Sequence, residues 1–191
     1  MTALLSAHRF SPNLGKALTQ EEYNNLPEDG FKYELIEGVL CLSPSAFFIH
    51  GENQSIFVYK LREYLRRNPI ARMTMETDSF FPDPKYVLRP DISVILNENK
   101  NSIQDHIRGV PDLVCEVLSE STRSLDLGKK ADRYLACGVK EYWIIDPNHQ
   151  MIQVWKNQNN QIWKKESGRI IISDVLPGFY VESSEFLYER V

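Results

Sequence analysis

Residues 111–147, PDLVCEVLSESTRSLDLGKKADRYLACGVKEYWIIDP, read as strand, turn, helix, strand. Leu113-Val114-Cys115-Glu116-Val117-Leu118 is a nearly continuous apolar run, the pattern of a strand buried on both faces. Glu116 sits in its middle, where an ionised carboxylate is costly unless it is paired, protonated or bound to a metal. The following helix is predicted to be capped at its start by Ser124 or Asp126, with Gly138 just past its end. At 3.6 residues per turn Leu127, Lys130, Ala131, Tyr134 and Leu135 share one side, and Lys129, Asp132, Arg133 and Ala136 the other. Lys130 is therefore the lysine aimed at the sheet. Its stem could cover apolar surface while the ammonium snorkels to water. Glu116 on the preceding strand offers the alternative of a buried partner.

With 42% apolar and 25% charged residues, the 191-residue chain has the make-up of one ordinary globular domain. We expect a flexible arm over residues 1–17 and a single domain over 18–191. The net charge of −4 excludes a protein coated in basic surface, although not a local basic cleft. Cys41, Cys115 and Cys137 are odd in number and lack metal-ligand spacing, so they read as reduced thiols of a cytoplasmic protein. No apolar run approaches membrane-spanning length, and no membrane partner is expected.

Upstream, Thr19-Gln20-Glu21-Glu22 has the form of a capping box opening a short helix. Residues 33–36 and 39–42 read as a hairpin turned by Glu37-Gly38. Glu34 shares a face with Ile36, which is either an inner face or an exposed edge. A helix is expected from about Phe47 to Arg67, with Phe57, Val58, Leu61 and Tyr64 on its apolar stripe. His50 and Gln54 fall on that stripe, His50 as a hydrogen-bonded core residue or as a site group. Residues 73–81 and 86–96 read as two strands joined by Pro82-Asp83-Pro84-Lys85. Asp91 lies inside the second, beside Pro90, which cannot donate to a ladder and so marks an edge or bulge. Residues 97–109 read as a mobile polar loop. Beyond Pro147, a hairpin (151–155, 161–163), a short strand (169–172) and a turn (176–179) carry packing alone. Trp143, Trp155 and Trp163 fit core positions better than base-stacking platforms.

Asp91, Glu116 and Lys130 thus form a candidate constellation. Two carboxylates on neighbouring strands make an oxygen-rich site for Mg2+ or Mn2+. A nearby ammonium stabilises developing negative charge. Together they suit metal-assisted attack of water on a phosphodiester.

These residues resemble a known family. Pro90-Asp91 followed by Glu116 resembles the PD-(D/E)XK nuclease superfamily. Within it, Tyr-Glu-Leu-Ile-Glu-Gly (33–38), Arg-Pro-Asp (89–91), Pro-Asp-Leu-Val-Cys-Glu-Val-Leu-Ser (111–119), Asp-Leu-Gly-Lys-Lys (126–130), residues 134–147 and Leu-Pro-Gly-Phe (176–179) look like the Uma-two group of restriction-endonuclease-like proteins. The resemblance covers about residues 18–187. It implies an α/β (α+β) restriction-endonuclease-like core, a mixed sheet flanked by helices, with additional N-terminal and C-terminal hairpins. It also implies Mg2+-dependent (or Mn2+-dependent) DNA cleavage. By motif, Asp91 and Glu116 are metal ligands, Lys130 positions the nucleophile and Glu34 is an auxiliary acid. His50 is a site neighbour, and Ser119 and Tyr134 are supporting groups. Cutting both strands makes a homodimer the expected assembly. The chain departs from the superfamily pattern at Leu118, where a lysine ordinarily stands two residues after the second acid, so the resemblance requires Lys130 to supply the ammonium.

Two other readings stay open. One is a catalytically weak or inactive nuclease-like module that binds DNA or protein. The other is a buried structural ion pair between Glu116 and Lys130. Convergence of the three groups, and a basic cleft from Arg62, Arg66 and Arg123 beside them, would favour the enzyme.

Overall fold

The computed structural model describes residues 13–43 and 47–186. Thr19 caps α1 (Gln20–Asn24) through the expected capping box with Glu22. β1 (Tyr33–Ile36) and β2 (Val39–Leu42) form the expected hairpin, turned by Glu37 and Gly38 at φ 55° and 78°. Two left-handed residues match the twist of paired strands. Residues 13–17, the described part of the expected arm, lie along β2, where the Gly15 amide donates to the Leu40 carbonyl at 2.8 Å.

α2 (Phe48–Arg67) follows the apolar stripe, with Phe57 and Leu61 fully buried. The two strands expected over 73–81 and 86–96 are each broken. β3 (Ala71–Met75) pairs with β6 (Ile92–Leu96), and β4 (Ser79–Phe80) pairs with β5 (Val87–Leu88) in a different sheet. Two features coincide with the break: Glu76 turns at φ 45°, and Pro90 offers no N–H. The expected mobile loop instead contains a 3-10 helix (Asn97–Ser102) and β7 (Ile107–Arg108), which pairs in parallel with β4.

β8 (Leu113–Val117) and β9 (Glu141–Asp146) are parallel neighbours joined by a helix, α3 (residues 123–137). β10 (Met151–Gln158) and β11 (Ile162–Ser167) form the expected hairpin, and β12 (Ile170–Ile172) pairs with β13 (Tyr180–Glu182). The main sheet is mixed, ordered β11-β10-β9-β8-β6-β3, beside a smaller sheet ordered β2-β1-β5-β4-β7. α2 buries Phe57 and Leu61 with Leu113, Cys115, Val117 and Trp143 on one face. α3 buries Ala131 and Tyr134 with Val114, Tyr142 and Ile144 on the other. By alternation along β8, Glu116 shares the face of Val114. Trp143 and Trp155 are buried and Trp163 packs against Trp155, as core positions require. Among the described residues no helix is long and apolar enough to cross a membrane.

Candidate active site

α3 runs without a break through Arg123–Leu125, a π-helical turn Asp126–Lys130, and Ala131–Cys137, ending at Gly138 with φ 93°. The expected cap at Ser124 or Asp126 does not hold, because the helix begins earlier, after Thr122. Asp126 is instead buried inside it. The wide turn brings Asp126 Oδ1 to 3.2 Å from Lys130 Nζ, with both side chains directed inward. Such turns are rare and recur at functional sites.

The Lys130 side chain is 5% exposed, so the snorkelling alternative fails. Its ammonium donates to Glu116 Oε1 at 2.6 Å and to Glu34 Oε1 at 3.2 Å. The Tyr134 hydroxyl donates to the same Glu116 oxygen at 2.8 Å. Burial alone would drive Lys130 down, but Glu116 and then Glu34 hold its pKa well above the ordinary lysine value. Burial pushes the Glu116 carboxyl well up; Lys130 opposes this, while Asp126, Asp91 and Glu34 add to it. Glu34 is buried, not at an exposed edge, and also accepts from the Arg89 amide at 2.8 Å.

Asp91 lies just before β6, in the break. Its amide donates to Glu116 Oε2 at 3.1 Å, and its Oδ2 accepts from the Val117 amide at 2.7 Å. The two acids are thus stitched together through main-chain donors that a continuous ladder would have consumed. His50 Nε2 lies 3.1 Å from Asp91 Oδ2, whereas its Nδ1 is buried without a partner among the described residues. Burial would keep the ring neutral, but the hydrogen bond and charge of Asp91 raise its pKa above the ordinary histidine value. Ser119 lines the same cavity, yet its hydroxyl bonds to Ser121 and Thr122 and secures the entry to α3.

Glu34, His50, Asp91, Glu116, Asp126 and Lys130 therefore face one cavity of about 340 Å³. Among the described residues, no group of three or more His, Cys, Asp or Glu is arranged to hold a metal alone. A hard ion with few protein ligands still fits. Asp91 Oδ1 has no partner among the described residues, and Glu116 Oε2 accepts only the Asp91 amide. Mg2+ keeps several waters and takes one or two carboxylates together with substrate phosphates.

The sequence reading missed Asp126 and Arg89. Asp126 stands four residues before Lys130, a spacing that marks a helical ion pair, but its place near a helix start suggested a cap. Arg89 is the wall residue beside Glu34, and its Nε donates to the buried Asp78 at 2.6 Å. The basic cleft that would have favoured the enzyme does not border this cavity. Arg62 and Arg66 line a separate groove, and Arg123 pairs with the buried Asp146.

A family model, Uma2, described as "Putative restriction endonuclease", matches residues 20–183. A crystal structure from Anabaena variabilis, of a "putative nuclease belonging to DUF820", superimposes with a TM-score of 0.75 at 23% identity. The alignment covers 88% of this chain and 97% of that one, which shows a shared fold. No curated protein matches. A family match over nearly the whole described chain, on a fold that carries its acids and lysine into one cavity, places this protein in the Uma2 family.

Proposed function

We propose that the protein is a Mg2+-dependent (or Mn2+-dependent) endonuclease that hydrolyses DNA phosphodiester bonds. The observation supporting it is the convergence of Asp91, Glu116 and Lys130 on one cavity, with the lysine buried among carboxylates. Asp91 and Glu116 would hold the ion, which supplies an acidified water and charge neutralisation at the phosphate. The Lys130 ammonium already faces three carboxylates, one for each N–H, so it would reach the attacking water or a phosphate oxygen by exchanging one of the two longer contacts, at 3.2 Å, and would there stabilise developing negative charge. Glu34 and Asp126 share that ammonium, so Glu116 is not its sole counter-charge. His50 and the Val117 amide occupy Asp91 Oδ2 and leave Oδ1 for the ion. Tyr134 orients Glu116. Cutting both strands of a duplex would use two copies of this site.

Plasmid nicking in Mg2+, Mn2+ and EDTA, run beside a thermal melt, tests the reading. Asp91→Asn and Glu116→Gln are expected to fold and lose cleavage, by about 10²–10³-fold or more. Full cleavage by either folded variant refutes the assignment. One observation favours the second reading, a nuclease-like module that binds without cutting. The other cations on the cavity wall, Lys32 and Arg89, are already paired with Glu76 and Asp78. Wild-type protein that binds duplex but leaves plasmid intact in both metals would establish it.

A further inference from the structure

The open edge of the main sheet carries a second charged feature. Two adjoining grooves share Arg72 of β3 and Asn97. One is completed by Arg62 and Arg66 of α2, the other by Lys100 and Asn101 of the 3-10 helix. Neither groove is lined by an aspartate or glutamate. Arg62, Arg66, Arg72 and Lys100 are all exposed, and none makes an ion pair among the described residues. Other exposed cations are of both kinds: Arg67 pairs with Glu63 and Lys140 with Glu98, while Lys85 and Arg169 make no ion pair among the described residues but do not share a groove with other cations. Four unneutralised cations on one face of a chain with net charge −4 are more than an edge strand needs to discourage aggregation. Arg66 also complements the C-terminal end of the α2 dipole, and Lys100 lies in the last turn of the 3-10 helix, but Arg62 and Arg72 have no such role.

We infer that this edge is a track for the sugar-phosphate backbone of duplex DNA. The strand itself sets the geometry. From Arg72, β3 leads to Glu76 on the wall of the catalytic cavity, four residues of extended chain or about 13 Å. That length matches about four base pairs of duplex at 3.4 Å per step. The catalytic cavity, crowded with carboxylates, repels phosphate until an ion is bound. Backbone contacts on the remote track supply the attraction the cavity lacks, so affinity and chemistry reside on different ends of one strand. This inference depends on the endonuclease reading for its substrate, though its test does not.

Fluorescence anisotropy of a labelled duplex of about 20 base pairs, titrated in EDTA from about 50 to 200 mM salt, tests it. Each lost phosphate contact lowers the salt slope by about 0.9. The fourfold variant Arg62→Ala, Arg66→Ala, Arg72→Ala, Lys100→Ala should therefore bind with a slope shallower by about 3 to 4 and an affinity at least about 10²-fold weaker. A control with the same charge change, Lys85→Ala, Lys129→Ala, Lys164→Ala, Lys165→Ala, should keep the wild-type slope. Equal slopes and affinities in the two fourfold variants overturn the inference. So does wild-type protein that binds poly-glutamate in preference to duplex, which would point to an acidic protein partner. Wild type that binds through these four residues but never cuts plasmid leaves the track standing and removes the endonuclease. Cleavage that survives in a fourfold variant binding like wild type does the reverse.

Discussion

Lys130 is the residue on which the site turns. It is buried beside Glu116, Glu34 and Asp126, and removing it would leave three acids in the interior without their shared counter-ion. Lys130→Ala is expected to cost about 3–5 kcal/mol in urea denaturation. Lys129→Ala, which breaks only an exposed pair with Glu37, should leave the unfolding curve within error. Glu116 behaves in the opposite sense. Its folded pKa lies well above the ordinary glutamate value of 4.5. Below that value both folded and unfolded states hold the proton; above it the unfolded chain ionises first, so stability is lost as pH rises. In EDTA, the melting temperature of Glu116→Gln minus that of wild type should therefore grow as pH rises above 4.5. A gap that stays constant or narrows would contradict the raised value. A buried acid that costs stability where it is ionised is what a ligand-binding acid looks like.

At the level of elements, two irregularities build the site. The π-turn in α3 lets Asp126 and Lys130 face the sheet together. Deleting Gly128 would close that turn to ordinary α-helical width, and is expected to keep the helical circular dichroism while abolishing cleavage. A folded deletion variant with full activity would show that the turn is incidental. Gly128→Ala is a separate probe. An added Cβ meets nothing within 4 Å, so the variant should gain about 0.5–1 kcal/mol from helix propensity. The helical phase of residues 127–135 already pointed Lys130 inward, since α-helical and π-helical geometry agree from Lys130 onward. Asp126 was hidden because its only local signal, an acid near a helix start, is also that of a cap. The second irregularity, the β3–β4 and β5–β6 break, was equally hidden. Glu76-Thr77-Asp78 and Arg89-Pro90-Asp91 interrupt the apolar residues of 73–81 and 86–96, but a strand can carry polar residues, and periodicity tells faces apart but not sheets. Pro90 was the clearest hint, and it marked the place where the Arg89 and Asp91 amides leave the ladder for Glu34 and Glu116.

For the whole molecule, the strand-helix-strand unit of residues 113–146 was readable because buried parallel strands and a Gly-terminated helix have strong local signatures. The capping box at Thr19 and the Glu37-Gly38 turn were readable for the same reason. The placement of Arg62 and Arg66 was not. Helix phase marks them as exposed but says nothing about what lies across from them, and the structure sets them beside Arg72 instead of at the acidic cavity. The result is a cluster of acids at one end of β3 and cations without ion pairs at the other, among the described residues. On the proposed reading, β3 joins a conditional site to a standing attraction, and a divalent ion would be the condition. Crystals soaked in Mn2+ and measured at the manganese absorption edge probe that most directly. The expected result is an anomalous peak between Asp91 Oδ1 and Glu116 Oε2, lost in Asp91→Asn. A cavity without a peak in the wild-type protein, with Mn2+ bound elsewhere, would contradict it.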